Sequence, residues 1–155
     1  MEENAKSIKF SKETIQAIKE WKKEWFKDWK SLPTRRKNIA LVDLIFRISI
    51  AMNLHGKKAP IVMTIDKYAY HYDIETIEID PKKPSIISIL HEFAHHLHGP
   101  NEKTACAWSI RLFKKCFPQS FAKLKWQDNL LIKDAKSDNP NKKQNRSIRS
   151  KQNRN

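Results

Sequence analysis

The segment from Ser85 to Pro100 constrains this chain more than any other. Its apolar residues Ile86, Leu90, Phe93 and Leu97 recur at spacings of four, three and four, the rhythm of an amphipathic helix. Ser85 is a capping residue at one end, and Gly99-Pro100 is a stop at the other. Inside that helix lies His91-Glu92-Phe93-Ala94-His95, an H-E-x-x-H pattern. Imidazoles four residues apart stand one turn apart on one helical face. At about 100° per residue the apolar stripe is centred roughly 140° from their midpoint, which leaves one dry face and one ligand face. Two neutral nitrogen ligands, a carboxylate base in Glu92 and an open coordination position are what a zinc hydrolase requires. The spacing therefore points to metal-assisted hydrolysis, with His91 and His95 as ligands.

Three residues are candidates for the third ligand. Glu102 follows the Gly99-Pro100 turn in the first turn of the next helix. If the two helices form an antiparallel hairpin, it returns to about the level of His95. There a carboxylate completes a two-His, one-Glu set, or simply complements the positive end of the helix dipole. His98 shares the face of His91 and His95 but lies about 10 Å along the axis from His91, a long reach for one tetrahedral ion. His96 points away from that face and reads as a surface or packing residue.

The 155 residues suffice for one domain with a core, placed at 1–132, followed by a basic tail at 133–155 that has almost nothing to bury and is expected to be disordered. Ser11 caps a predicted helix to about Lys30. Ile15, Ile18, Trp25 and Trp29 form its stripe, widened by Trp21 and Phe26, with the lysines on the wet side. Thr34 is the candidate cap of a second helix, apolar on most of its circumference after Ala40 and so expected to be central, with Gly56 marking its end. Pro60–Ile65 and Tyr68–Ile79 carry strand signals, with a parity change near Asp73 that predicts a turn or bulge. The helix after Gly99-Pro100 opens at Asn101 and stops at Pro118. An amphipathic piece spans Phe121 to Ile132.

Two cysteines do not make a disulfide framework. On one helix Cys106 and Cys116 stand about 15 Å apart, too far to bridge, and both read as small buried side chains. No run approaches the ~18 apolar residues of a membrane span. Met1-Glu2-Glu3-Asn4 is unlike a signal peptide, so a cytoplasmic protein that does not enter membranes is expected. The formal net charge of +14 suits acidic partners. Lys142, Lys143, Arg146, Arg149, Lys151 and Arg154 in the tail could contact nucleic acid without sequence preference. A basic nucleic-acid-binding protein with a structural or vestigial metal site is accordingly the alternative function.

Ser88-Ile89-Leu90-His91-Glu92-Phe93-Ala94-His95-His96-Leu97 resembles the active-site helix of the zincin metallopeptidases, in their gluzincin branch. Glu102-Lys103-Thr104-Ala105, continuing through Trp108-Ser109 to Leu112-Phe113, is similar to the second-helix pattern E-x-x-A-x-x-F-A-x-x-L-L of the ImmA/IrrE-type peptidases of phages, mobile elements and stress regulators. The resemblance covers roughly residues 85–118. It implies one zinc ion held by His91, His95 and Glu102, Glu92 as general base, and a peptide or protein substrate. A metzincin pattern fails, because its glycine and third histidine would fall at His98 and Asn101. The expected architecture is α+β and zincin-like: N-terminal helices, a small, mainly antiparallel sheet of two to four strands, and the H-E-x-x-H helix packed on the one that follows. An added donor commonly steadies the oxyanion in such sites; Tyr68, Tyr70, Tyr72 and His71 are the candidates.

Overall fold

The fold is described from a computed structural model that covers residues 8–65, 67–124, 126–127 and 130–131. The tail at 133–155, with its predicted disorder and nucleic-acid contact, lies outside the described residues.

Helix α1 spans Lys12–Trp21, and the Ser11 hydroxyl accepts from the Thr14 amide as its cap. The predicted helix to Lys30 does not continue in α form. A π-helical turn, Lys22–Phe26, follows, and its extra residue rotates the side chains after it. Of the predicted stripe, Ile18 and Trp21 are fully buried, while Ile15, Trp25, Phe26 and Trp29 are only partly buried. The Trp21 indole donates to the Ala40 carbonyl at 2.7 Å, and that of Trp25 to Asp43 at 2.8 Å. The tryptophans thus face the protein rather than a partner.

Helix α2 spans Thr34–Ala51. Pro33, not Thr34, occupies the cap position, with no side-chain cap bond; its extended backbone already delivers the chain into the helix. Asn53, not Gly56, ends the helix. Its φ of 56° and the bonds from Asn53 N to Ile50 O and from Leu54 N to Ser49 O form a Schellman turn, for which asparagine is the second choice after glycine. Nor is α2 central. Ala40, Leu41, Leu44, Ile45 and Ile48 are buried, but Ile39, Val42, Phe46 and Ile50 form an exposed stripe on the other side.

Strands β1 (Ile61–Thr64), β2 (Ala69–His71) and β3 (Thr76–Ile79) make one sheet in the order β1-β3-β2. The sheet is mixed rather than mainly antiparallel: β2 and β3 form a hairpin, whereas β1 lies parallel to β3. The reason is that β1 joins the far edge of β3 instead of extending the hairpin. Residues 72–75 make the turn, with Glu75 at φ 48°, which explains the parity change at Asp73. All four residues of β3 are buried, as suits a central strand.

Tyr68 ties the sheet to the start of the next helix. Its hydroxyl donates to the Lys83 carbonyl at 3.0 Å and accepts from the Ser85 amide at 2.7 Å. Burial pushes its pKa from 10.0 up to about 12, and Tyr70 is raised to about 12 in the same way. A proton held more tightly in the folded state contributes stability that is full below pH about 10 and is lost as pH rises through about 12. Denaturant titrations should show stability falling across that window. Tyr68→Phe should cost about 1–2 kcal/mol at neutral pH and make the alkaline fall shallower; an unchanged slope would remove Tyr68 as its source.

Helix α3, Ile86–His98, is capped by the Ser85 hydroxyl on the Ser88 amide. Helix α4, Glu102–Cys116, is capped by the Asn101 side chain on the Thr104 amide. Gly99 turns the chain between them at φ 79° and ψ −163°, a region open essentially to glycine alone. The α3 stripe is buried as expected at Ile86, Leu90 and Phe93, with Leu97 partly so, and it shares one core with Ala105, Trp108, Leu112 and Phe113 of α4. Pro118 does not merely stop α4. It opens a short helix α5, Pro118–Ala122. Within the expected amphipathic piece at 121–132, the described residues form the end of α5 and two short strands, β4 (Trp126–Gln127) and β5 (Leu130–Leu131), paired antiparallel. Among the described residues no helix is long and apolar enough to cross a membrane.

Candidate metal centre

The α3–α4 hairpin brings three predicted side chains to one point. His91 Nε2 lies 3.2 Å from His95 Nε2. One Glu102 carboxylate oxygen is 3.0 Å from His91 Nε2, and the other is 3.1 Å from His95 Nε2. Among the described residues these three make the one group of donors close enough to hold a metal ion. His98 is not in it; its ring stands 5.9 Å from that of Trp108, on the exposed side of the helix end. Glu102, rather than His98, is the third member of this group, and helix capping falls to Asn101.

Backbone geometry decides which His95 nitrogen is available. Nδ1 lies 3.0 Å from the Gly99 carbonyl oxygen, an atom that can only accept. A hydrogen therefore sits on Nδ1, which makes Nε2, facing His91 and Glu102, the nitrogen that can offer a lone pair to a metal ion. The Tyr72 hydroxyl is a second oxygen 3.0 Å from the same Nδ1. On the His91 side, Nδ1 is 3.8 Å from the Cys106 sulfur, which is also 3.8 Å from Glu102 Oε1. Burial first, and then the Glu102 carboxylate, push the Cys106 thiol up, so it stays protonated there.

His96 does a different job. Its Nε2 donates to the Lys58 carbonyl at 2.7 Å, and its Nδ1 accepts from the Tyr70 hydroxyl at 2.7 Å. It fastens β2 and the approach to β1 onto α3, a packing role as expected. His71 Nε2 pairs with buried Glu78 at 2.7 Å across β2 and β3, which commits that nitrogen to the sheet. Tyr68 and Tyr70 are likewise committed to Lys83 and His96. Glu92 is half-buried, and its charge, with that of Glu102, bears on the Tyr72 hydroxyl.

The donor set fits zinc. Ligand atoms of a tetrahedral site with bonds of about 2.0–2.2 Å lie about 3.3–3.6 Å apart, within a few tenths of an ångström of the distances here. Lone pairs this close repel one another unless a cation or a proton stands among them. Cys116 is buried as predicted, but Cys106 is half-buried beside the donors. It stands four residues after Glu102 on one helical face, a spacing present in the sequence and not used there.

No family model matches the chain, and no curated protein or solved structure matches it.

Proposed function

We propose that this protein is a zinc-dependent metallopeptidase of zincin type, with an active-site hairpin like that of the ImmA/IrrE-type enzymes. The observation that carries the reading is the convergence of both Nε2 atoms and the Glu102 carboxylate within 3.2 Å of one another, with Glu92 next to His91 in the chain. His91, His95 and Glu102 would hold the ion. Bound zinc would supply Lewis acidity toward the scissile carbonyl and the attacking water. Glu92 takes the proton of that water as it attacks and delivers it to the amine that leaves. His95 keeps its lone pair directed at the site because the Gly99 carbonyl holds its other nitrogen protonated. The Glu102 side chain, 66% exposed, stands at the open side, where an extended peptide can approach. The substrate is a peptide or protein, and the working compartment is the cytoplasm.

Elemental analysis of protein purified without chelators should find one zinc per chain. Removal with 1,10-phenanthroline should abolish hydrolysis of β-casein, and added zinc should restore it. Metal-free protein that cleaves nothing after zinc addition overturns the reading.

A further inference from the structure

The hydrogen on His95 Nδ1 has two oxygen neighbours and can be given only once or shared. Gly99 O must accept it, since a carbonyl has nothing to give. Tyr72 therefore also stands as an acceptor toward Nδ1, and its own hydroxyl hydrogen is not used in that contact. No acceptor for that hydrogen is found among the described residues.

The position of Tyr72 suits a donor held for something else. It is the first residue of the β2–β3 turn and 47% exposed. Its ring packs edge-on against Tyr70 at 4.8 Å, and Tyr70 is anchored to His96. The phenol is thus braced from the sheet side and leans over the ligand face of α3, with ring centroids 6.2 Å from His95. A phenol ordinarily titrates near pH 10, so the hydrogen is present at neutral pH. Of the other three candidate donors, Tyr68 donates to Lys83 O, Tyr70 to His96 Nδ1, and His71 is tied through Nε2 to Glu78, away from His95.

We infer that Tyr72 is the residue that donates a hydrogen bond to the carbonyl oxygen of the scissile peptide bond. This rests on the hydrolase reading above. As water adds to the carbonyl carbon, negative charge grows on that oxygen, and the Tyr72 hydroxyl bonds to it more strongly than to the neutral carbonyl. No proton leaves the phenol; the water's proton passes to Glu92 and then to the departing nitrogen. Because Gly99 alone sets the His95 tautomer, Tyr72 can turn toward substrate without disturbing the ligand.

Tyr72→Phe in the full chain tests this, with zinc affinity and steady-state cleavage of β-casein measured side by side. The expected result is unchanged zinc affinity, unchanged KM and a kcat lower by about 10²–10³-fold. A Tyr72→Phe protein as active as wild type overturns the inference and leaves the hydrolase reading standing. Zinc affinity weaker by about 10–100-fold also overturns it, since Tyr72 would then be a positioning residue for His95. Wild-type protein that neither binds zinc nor cleaves casein overturns both.

Discussion

Glu92→Gln is expected to bind zinc as wild type does and to lose casein hydrolysis by about 10²–10⁴-fold, the usual contribution of a positioned general base. The amide has nearly the shape of the carboxylate but cannot take a proton from water. Glu92 is not one of the three converging donors, so the metal site should survive. Zinc stoichiometry and kcat measured on the same preparation separate the two effects. Wild-type turnover at full zinc occupancy would strip Glu92 of the base role.

The second large effect is at Glu102. Glu102→Ala removes the carboxylate that meets both imidazoles at 3.0 and 3.1 Å. Loss of an outer partner of a ligand weakens metal binding about 10–100-fold, and loss of the ligand itself should exceed that range. Stability without zinc should change little. The Asn101 cap remains, and a carboxylate in the first turn contributes only about 0.3–1 kcal/mol through the helix dipole. His98→Ala, which removes the other candidate, should leave zinc affinity untouched. The reverse pattern, with His98 essential and Glu102 dispensable, would dissolve the proposed donor set.

The residues that punctuate the chain around α1, α3 and α4 were readable in advance, whereas those around α2 were not. Ser11, Ser85 and Asn101 cap the helices they precede, and Gly99 ends α3, because each acts through local backbone chemistry. The meeting of His91, His95 and Glu102 follows from the same local logic, a helical period on either side of a tight turn. What escaped the sequence depends on distant partners. The parallel pairing of β1 with β3 is a choice of sheet edge that strand patterning does not encode. The π-helical turn at 22–26 accompanies the packing of Trp21 and Trp25 against α2, and helical periodicity alone reads straight through it. The exposed stripe Ile39, Val42, Phe46 and Ile50 looked like core, since an apolar helix carries no mark of which faces find neighbours. Tyr72 was one of four equal candidates until contacts with Lys83, His96 and Glu78 engaged the other three.

Position 99 joins chain geometry to acid–base state. Nothing lies within 4 Å of where a β-carbon would sit on Gly99, so a larger residue would neither clash nor alter charge. It would instead resist the φ of 79° and swing the carbonyl away, releasing the imidazole to exchange its tautomers. A substitution invisible to any inventory of side chains would then reach the metal through the peptide backbone alone.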